Sequence, residues 1–158
     1  MPMQEQLQAL LDQEIENLQT LLGILHREHD ALVNADVDAI ERITQSKNQA
    51  LTAQAELTRS RRHLVQTAWG SDTDESLEQY IASFDDQSLW HSFSRLSALA
   101  MQCNDSNRTN GRLIAHKQQQ TRDALDILRR TDSAATTTYS HSGRAAGSEQ
   151  AGRTLGKA

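Results

Sequence analysis

Leucine recurs every seventh residue at Leu11, Leu18, Leu25 and Leu32, and Ile15 and Leu22 follow the first two of these four residues on. Such a repeat keeps one face apolar only in an α-helix, where two turns of 3.6 residues bring the same side round again. Leu7, Leu10, Leu21 and Ile24 widen the stripe until it can pack against two neighbours. A first helix is therefore predicted over 4–33, and it belongs to a helical assembly. Segment 1–33 carries six acids against one arginine, so the outer face of that helix is strongly negative.

Composition narrows the assembly. Leu, Ile, Val and Phe make up 31 of the 158 residues, close to the floor for a packed domain. The single proline is Pro2, so no interior proline stops a helix. β-branched residues form no alternating runs, and no sheet is expected. The predicted fold is all-α: an elongated antiparallel bundle or coiled coil of three long helices plus one short helix, with a flexible C-terminal tail. The bundle is assigned to 1–130 and the tail to 131–158.

Local signals place the breaks. "NADVDAIER" at 34–42 interrupts and restarts the helix, with Asp38 and Glu41 spaced as a capping box and Asp36 as an alternative cap. The second helix runs to about Ala68 through Ile40, Ile43, Leu51, Leu57, Leu64 and Val65. Its seam is weak, because Lys47 and Gln54 fall where apolar residues belong. Gly70 and "SDTDE" end it and cap a short helix carrying Leu77, Tyr80, Ile81 and Phe84, which Trp69 and Trp90 flank as packing anchors. "FDDQS" opens the last helix, predicted over 87–130. From 131 onward Ser, Thr, Ala and Gly dominate, and only Leu155 is a large aliphatic, too little burial to offset the entropy of ordering.

Heptads in the last helix put Phe93, Ala100, Asn107, Ile114, Thr121 and Leu128 in one column, and Leu89, Leu96, Cys103, Asn110, Lys117 and Ala124 in the other. Asn107 and Asn110 thus stand in the core seam. A buried asparagine can fix register, and Gly111 beside it either permits close approach or weakens the helix. The other reading makes this stretch a boundary. A helix of about 43 residues spans roughly 65 Å, against roughly 45 Å for each of the first two. Unless it kinks near Gly111, its end passes its partners and exposes Leu113, Ile114, Leu125, Ile127 and Leu128, an apolar stripe of the kind that receives a partner.

Enzymatic constellations are missing. His26, His29 and Asp30 could share a helix face, but no HExxH or Glu-x-x-His pattern accompanies them, and solvated histidines are the simpler reading. Cys103 lacks an activating histidine at helical spacing and reads as a small buried hydrophobe. Gly143, Gly147 and Gly152 lack the strand–loop–helix setting of a phosphate loop. No cofactor and no metal is expected. The run "RSRRH" at 59–63 reads first as a solvated face, and otherwise as a complement to the acidic first helix or a dock for an acidic partner. The net charge of −5 speaks against nucleic acid. No apolar run reaches a membrane span and no signal-peptide core opens the chain, so a cytoplasmic protein without membrane insertion is expected.

"NRTNGRLI" at 107–114, "ALDILR" at 124–129 and "TYSHSG" at 138–143, in that order, resemble the FlgN family of flagellar export chaperones. The N-terminal half agrees: "ALVNADVDAIERITQSKNQAL" at 31–51 is similar to the family's helix–break–helix, with Lys47 midway down the second helix. The resemblance covers about 4–145. Ser140 follows Tyr139 where the family usually has glycine, and 144–158 shows no pattern to align. The resemblance implies a cytoplasmic type III export chaperone, not an enzyme, whose clients are hook-associated (hook–filament junction) proteins of the FlgK/FlgL kind. It also implies client binding by the apolar stripe at 113–128, and docking at the cytoplasmic domain of the export gate through Tyr139. The alternative from the residues alone is a structural coiled-coil or adaptor protein that self-associates through its seam.

Overall fold

The computed structural model describes residues 2–144, with side chains through Ala135. These residues form four α-helices and no strand: α1 Met3–Val33, α2 Val37–Trp69, α3 Asp74–Ala82 and α4 Gln87–Arg144. Two compact units divide the chain, Met1–Ile114 and Ala115–Ala158.

Each break has a local cause. After α1, Ala35 adopts φ 53°, and the Asp36 carboxylate accepts the Ala39 N–H at 3.1 Å. Asp36 is therefore the cap of α2, not the Asp38 box. Asp38 falls inside the first turn, where its charge meets the positive end of the helix dipole. Gly70 closes α2 at φ 84°, a left-handed conformation that suits glycine. Thr73 Oγ1 accepts the Ser76 N–H at 3.1 Å to start α3. Asp85 at φ 50° turns the chain again, and the Asp86 carboxylate accepts the Ser88 N–H at 2.8 Å as α4 begins.

In the Met1–Ile114 unit α1 is the central helix. Leu7, Leu11, Ile15, Leu18, Leu21, Ile24 and Leu25 are all buried. At about 1.5–3 kcal/mol per buried large aliphatic, this stripe is the main source of stability. The helix α2 runs antiparallel to it, since Glu14 meets Arg61 while Glu28 meets Lys47. The helix α4 runs parallel to it: Gln4 bonds Asp86 at 2.6 Å, Gln8 bonds Ser92 at 2.8 Å and the Leu25 carbonyl accepts from Asn110 at 2.9 Å. Between α2 and α4, α3 adds Leu77, Tyr80 and Ile81 to the core. Trp69 does anchor α3, with its ring 5.9 Å from Tyr80 and its indole N–H on Gln79 at 3.4 Å. Trp90 instead meets Phe93 of its own helix, edge to face at 6.0 Å.

The last helix passes the expected stop at about Arg130 and continues to Arg144. Loss of apolar residues does not end a helix by itself. No proline or glycine interrupts 131–142, and a helix already nucleated extends by one bond per residue. The expected tail thus divides: 131–144 are helical, and 145–158 lie outside the described residues. Tyr139 falls within the helical part, and its side chain is outside what is described.

Candidate functional site

Two acids interrupt the apolar stripe of α1. Leu7, Glu14, Leu21 and Glu28 stand seven apart in one column, and all four are buried. A buried lone carboxylate costs several kcal/mol unless cations and donors meet it. Facing them on α2, also seven apart, are Lys47, Gln54 and Arg61. The Arg61 guanidinium donates to Glu14 Oε1, while Gln54 Nε2 and Thr58 Oγ1 donate to Glu14 Oε2 at 3.0 and 3.2 Å. Lys47 Nζ reaches both oxygens of Glu28, at 3.1 and 3.0 Å. The two polar residues that weaken the α2 seam on paper are thus partners of the two acids in α1.

Asn110 completes the second knot. It is 2% exposed, and its Nδ2 donates to the Leu25 carbonyl and to Glu28 Oε2 at 2.9 and 2.8 Å. Its Oδ1 lies 3.2 Å from His29 Nδ1. Glu28 therefore ties α1, α2 and α4 together at one level, and no buried side-chain N or O among the described residues lacks a partner. Asn107 differs. Expected in the seam, it is exposed. The buried column of α4 is Leu89, Leu96, Cys103 and Asn110, whereas Phe93 is half-buried and Ala100 and Asn107 are exposed. A straight helix drifts about 20° per heptad, enough to carry the second column out of the contact. A Cβ built on Gly111 would meet nothing within 4 Å, so this glycine serves no close approach.

The remaining chemical candidates resolve into structure. Cys103 is buried with its thiol toward the Leu18 carbonyl at 3.4 Å, and burial pushes the thiol pKa up. His29 is turned to Asn110, and no group of three metal-capable side chains occurs among the described residues. No helix among them is long and apolar enough to cross a membrane.

The Ala115–Ala158 unit offers a different surface. Leu125, Ile127 and Leu128 are 48%, 64% and 62% exposed. Leu125 and Leu128 are i, i+3 neighbours on one face, with Thr121 and Ala124 completing it and Ile127 at its edge. Leu113 and Ile114, the last residues of the other unit, are half-buried. Helix length and periodicity together point to an exposed stripe at Leu113, Ile114, Leu125, Ile127 and Leu128, of which the last three are exposed. The Glu28 knot is not read from periodicity, and of the Glu14 knot only the alternative that the "RSRRH" run complements the acidic first helix is, which Arg61 on Glu14 does. The signal for both is the matched seven-residue spacing of acids in α1 and polar residues in α2.

Comparison with known families matches the FlgN protein family over residues 1–147. The flagella synthesis protein FlgN of Proteus mirabilis is 28% identical over 155 residues, covering 97% of this chain and 99% of that protein. No solved structure matches.

Proposed function

The chain belongs to the FlgN family, and on that premise we propose that it is a cytoplasmic chaperone of flagellar export. Its clients are hook-associated proteins of the hook–filament junction, which it keeps soluble and export-competent and delivers to the cytoplasmic domain of the export gate. The observation that carries this reading is the exposure of Leu125, Ile127 and Leu128 on a helix of the Ala115–Ala158 unit. Large aliphatics at helical spacing are stabilised by burial, and an amphipathic client helix supplies it. Leu113 and Ile114, further back on α4, extend the client-binding set. Tyr139, on the same helix, is the proposed contact with the gate.

Co-purification with candidate hook-associated subunits tests the proposal. A stoichiometric complex is expected, and Leu125→Asp with Leu128→Asp should abolish it while helicity and thermal midpoint stay within error. Tyr139→Ala should leave client affinity intact and weaken docking of the loaded complex at the gate. If the aspartate variant instead turns a stable oligomer into a monomer and no client binds the parent chain, the protein is a self-associating adaptor.

A further inference from the structure

Three basic side chains stand together on the outer face of α2. Arg59, Arg62 and His63 are related by i, i+3 and i, i+4 spacing, and all three are exposed. Arg61, in the middle of the run, is buried on Glu14 and belongs to the fold. The run thus divides by face: one arginine is structural and its neighbours are not. Thr58, Arg59, Val65 and Gln66 occupy the helical neighbour positions of Arg62, so α2 offers it no carboxylate. A groove of 710 Å³ follows this face, and its lining includes Leu51, Ala55, Arg59, Arg62, His63 and, as its one acid, Asp72. Leu51 is 46% exposed, two turns before Arg59. The stripe is therefore apolar at one end and cationic at the other, in a chain whose net charge is −5.

We propose that this stripe is a second docking surface, which takes an acidic amphipathic helix of a protein partner. The partner's carboxylates, at i, i+3 or i+4 spacing, meet Arg59 and Arg62, and an apolar side chain two to three turns away seats on Leu51 and Ala55. Arginine suits this role because its planar fork grips a carboxylate through two parallel bonds. The apolar end fixes which way the helix lies. Two arginines are too few for the alternatives, since nucleic-acid binding rests on many phosphate contacts and membrane-binding basic clusters carry about 4–8 cations. The surface lies on the Met1–Ile114 unit, so it stands whether or not the exposed leucines of α4 hold a client.

The test uses the full chain and a labelled helical peptide with glutamates at three- and four-residue spacing and a leucine two turns beyond. A control peptide carries glutamine for every glutamate. Fluorescence anisotropy should show saturable binding of the acidic peptide, weakened about tenfold or more between ~50 and ~500 mM salt. Arg59→Glu with Arg62→Glu should weaken it by about tenfold or more, and Arg59→Lys with Arg62→Lys by less. Circular dichroism checks that the variants fold; if the charge reversal does not, Arg59→Gln with Arg62→Gln takes its place. Equal binding of the glutamine peptide, unchanged affinity in the charge-altered variant, or no saturable binding to the parent chain would overturn the proposal. Binding to phosphatidylserine vesicles with the same arginine dependence, while the peptide fails, would overturn it in favour of a membrane surface.

Discussion

Two stretches of α4 carry apolar residues at spacings a helix gathers on one side, and they meet opposite fates. Over 89–110, Leu89, Leu96 and Cys103 are buried, and the column ends on a buried asparagine with three partners. Over 121–128, Leu125, Ile127 and Leu128 are exposed by about half or more. Spacing alone does not distinguish them. What does is whether another element supplies complementary groups: α1 offers a leucine stripe, the Leu18 and Leu25 carbonyls and Glu28 to the first stretch. The second stretch has a similar hydrophobic demand, and its large aliphatics stay exposed. Within one helix, a stripe that is filled is core and a stripe that is exposed is available for binding.

The sharpest way to break this comparison is to truncate one leucine from each stretch. Leu89 is fully buried, so Leu89→Ala should cost about 2–5 kcal/mol through lost burial and a residual cavity. Leu128→Ala should change stability by no more than about 0.5 kcal/mol, as exposed positions do. Urea unfolding of both variants reads the difference directly. Similar losses at the two sites would mean that Leu128 is covered in solution and is not a free client surface.

A smaller effect separates the two asparagines, three residues apart. Asn110→Ala removes a donor from Glu28 and the Leu25 carbonyl and takes the partner from His29, so a loss of roughly 1–3 kcal/mol is expected. Lys47 remains on Glu28, which keeps the cost below that of a stranded buried charge. Asn107→Ala, at an exposed position, should be close to neutral. The same urea titrations decide it, and equal effects would remove Asn110 from its place as the polar tie between α1 and α4.

How much of this was legible in the sequence follows from what is local. The helices and breaks rest on periodicity, on glycine at 70 and on capping side chains within a few residues, and these were readable up to the choice between Asp36 and Asp38. The knots were not, because a polar residue in a weak seam reads as a defect until its partner on another helix is known. Lys47 and Gln54 gained meaning only from Glu28 and Glu14, nineteen and forty residues away. The end of α4 is hidden from the sequence for a related reason: loss of apolar periodicity marks the end of burial, and the backbone helix outlasts it. The exposed leucines were visible as a stripe, while their exposure is a property of the fold.

Gly111 lies between the two stretches, next to Asn110 and three residues before the last residue of the Met1–Ile114 unit. It is helical, and a methyl group added to it would enter open space. Glycine inside a helix costs roughly 0.5–1 kcal/mol relative to alanine, because the unfolded chain has more backbone freedom to lose. With no steric penalty to set against this, Gly111→Ala should stabilise the protein by about that amount and raise the thermal midpoint by roughly 1–4 °C. The substitution also tests whether the sequence's boundary at this glycine has a use. If Gly111 merely tolerates solvent, client binding should be unchanged in the stabilised variant. If the helix must bend here to present Leu125 and Leu128, the variant should gain stability and lose client affinity together. A variant that gains no stability would show instead that the helix is not continuous through 111 in solution, and the contrast between the two stretches would then begin at the glycine and not at the leucines.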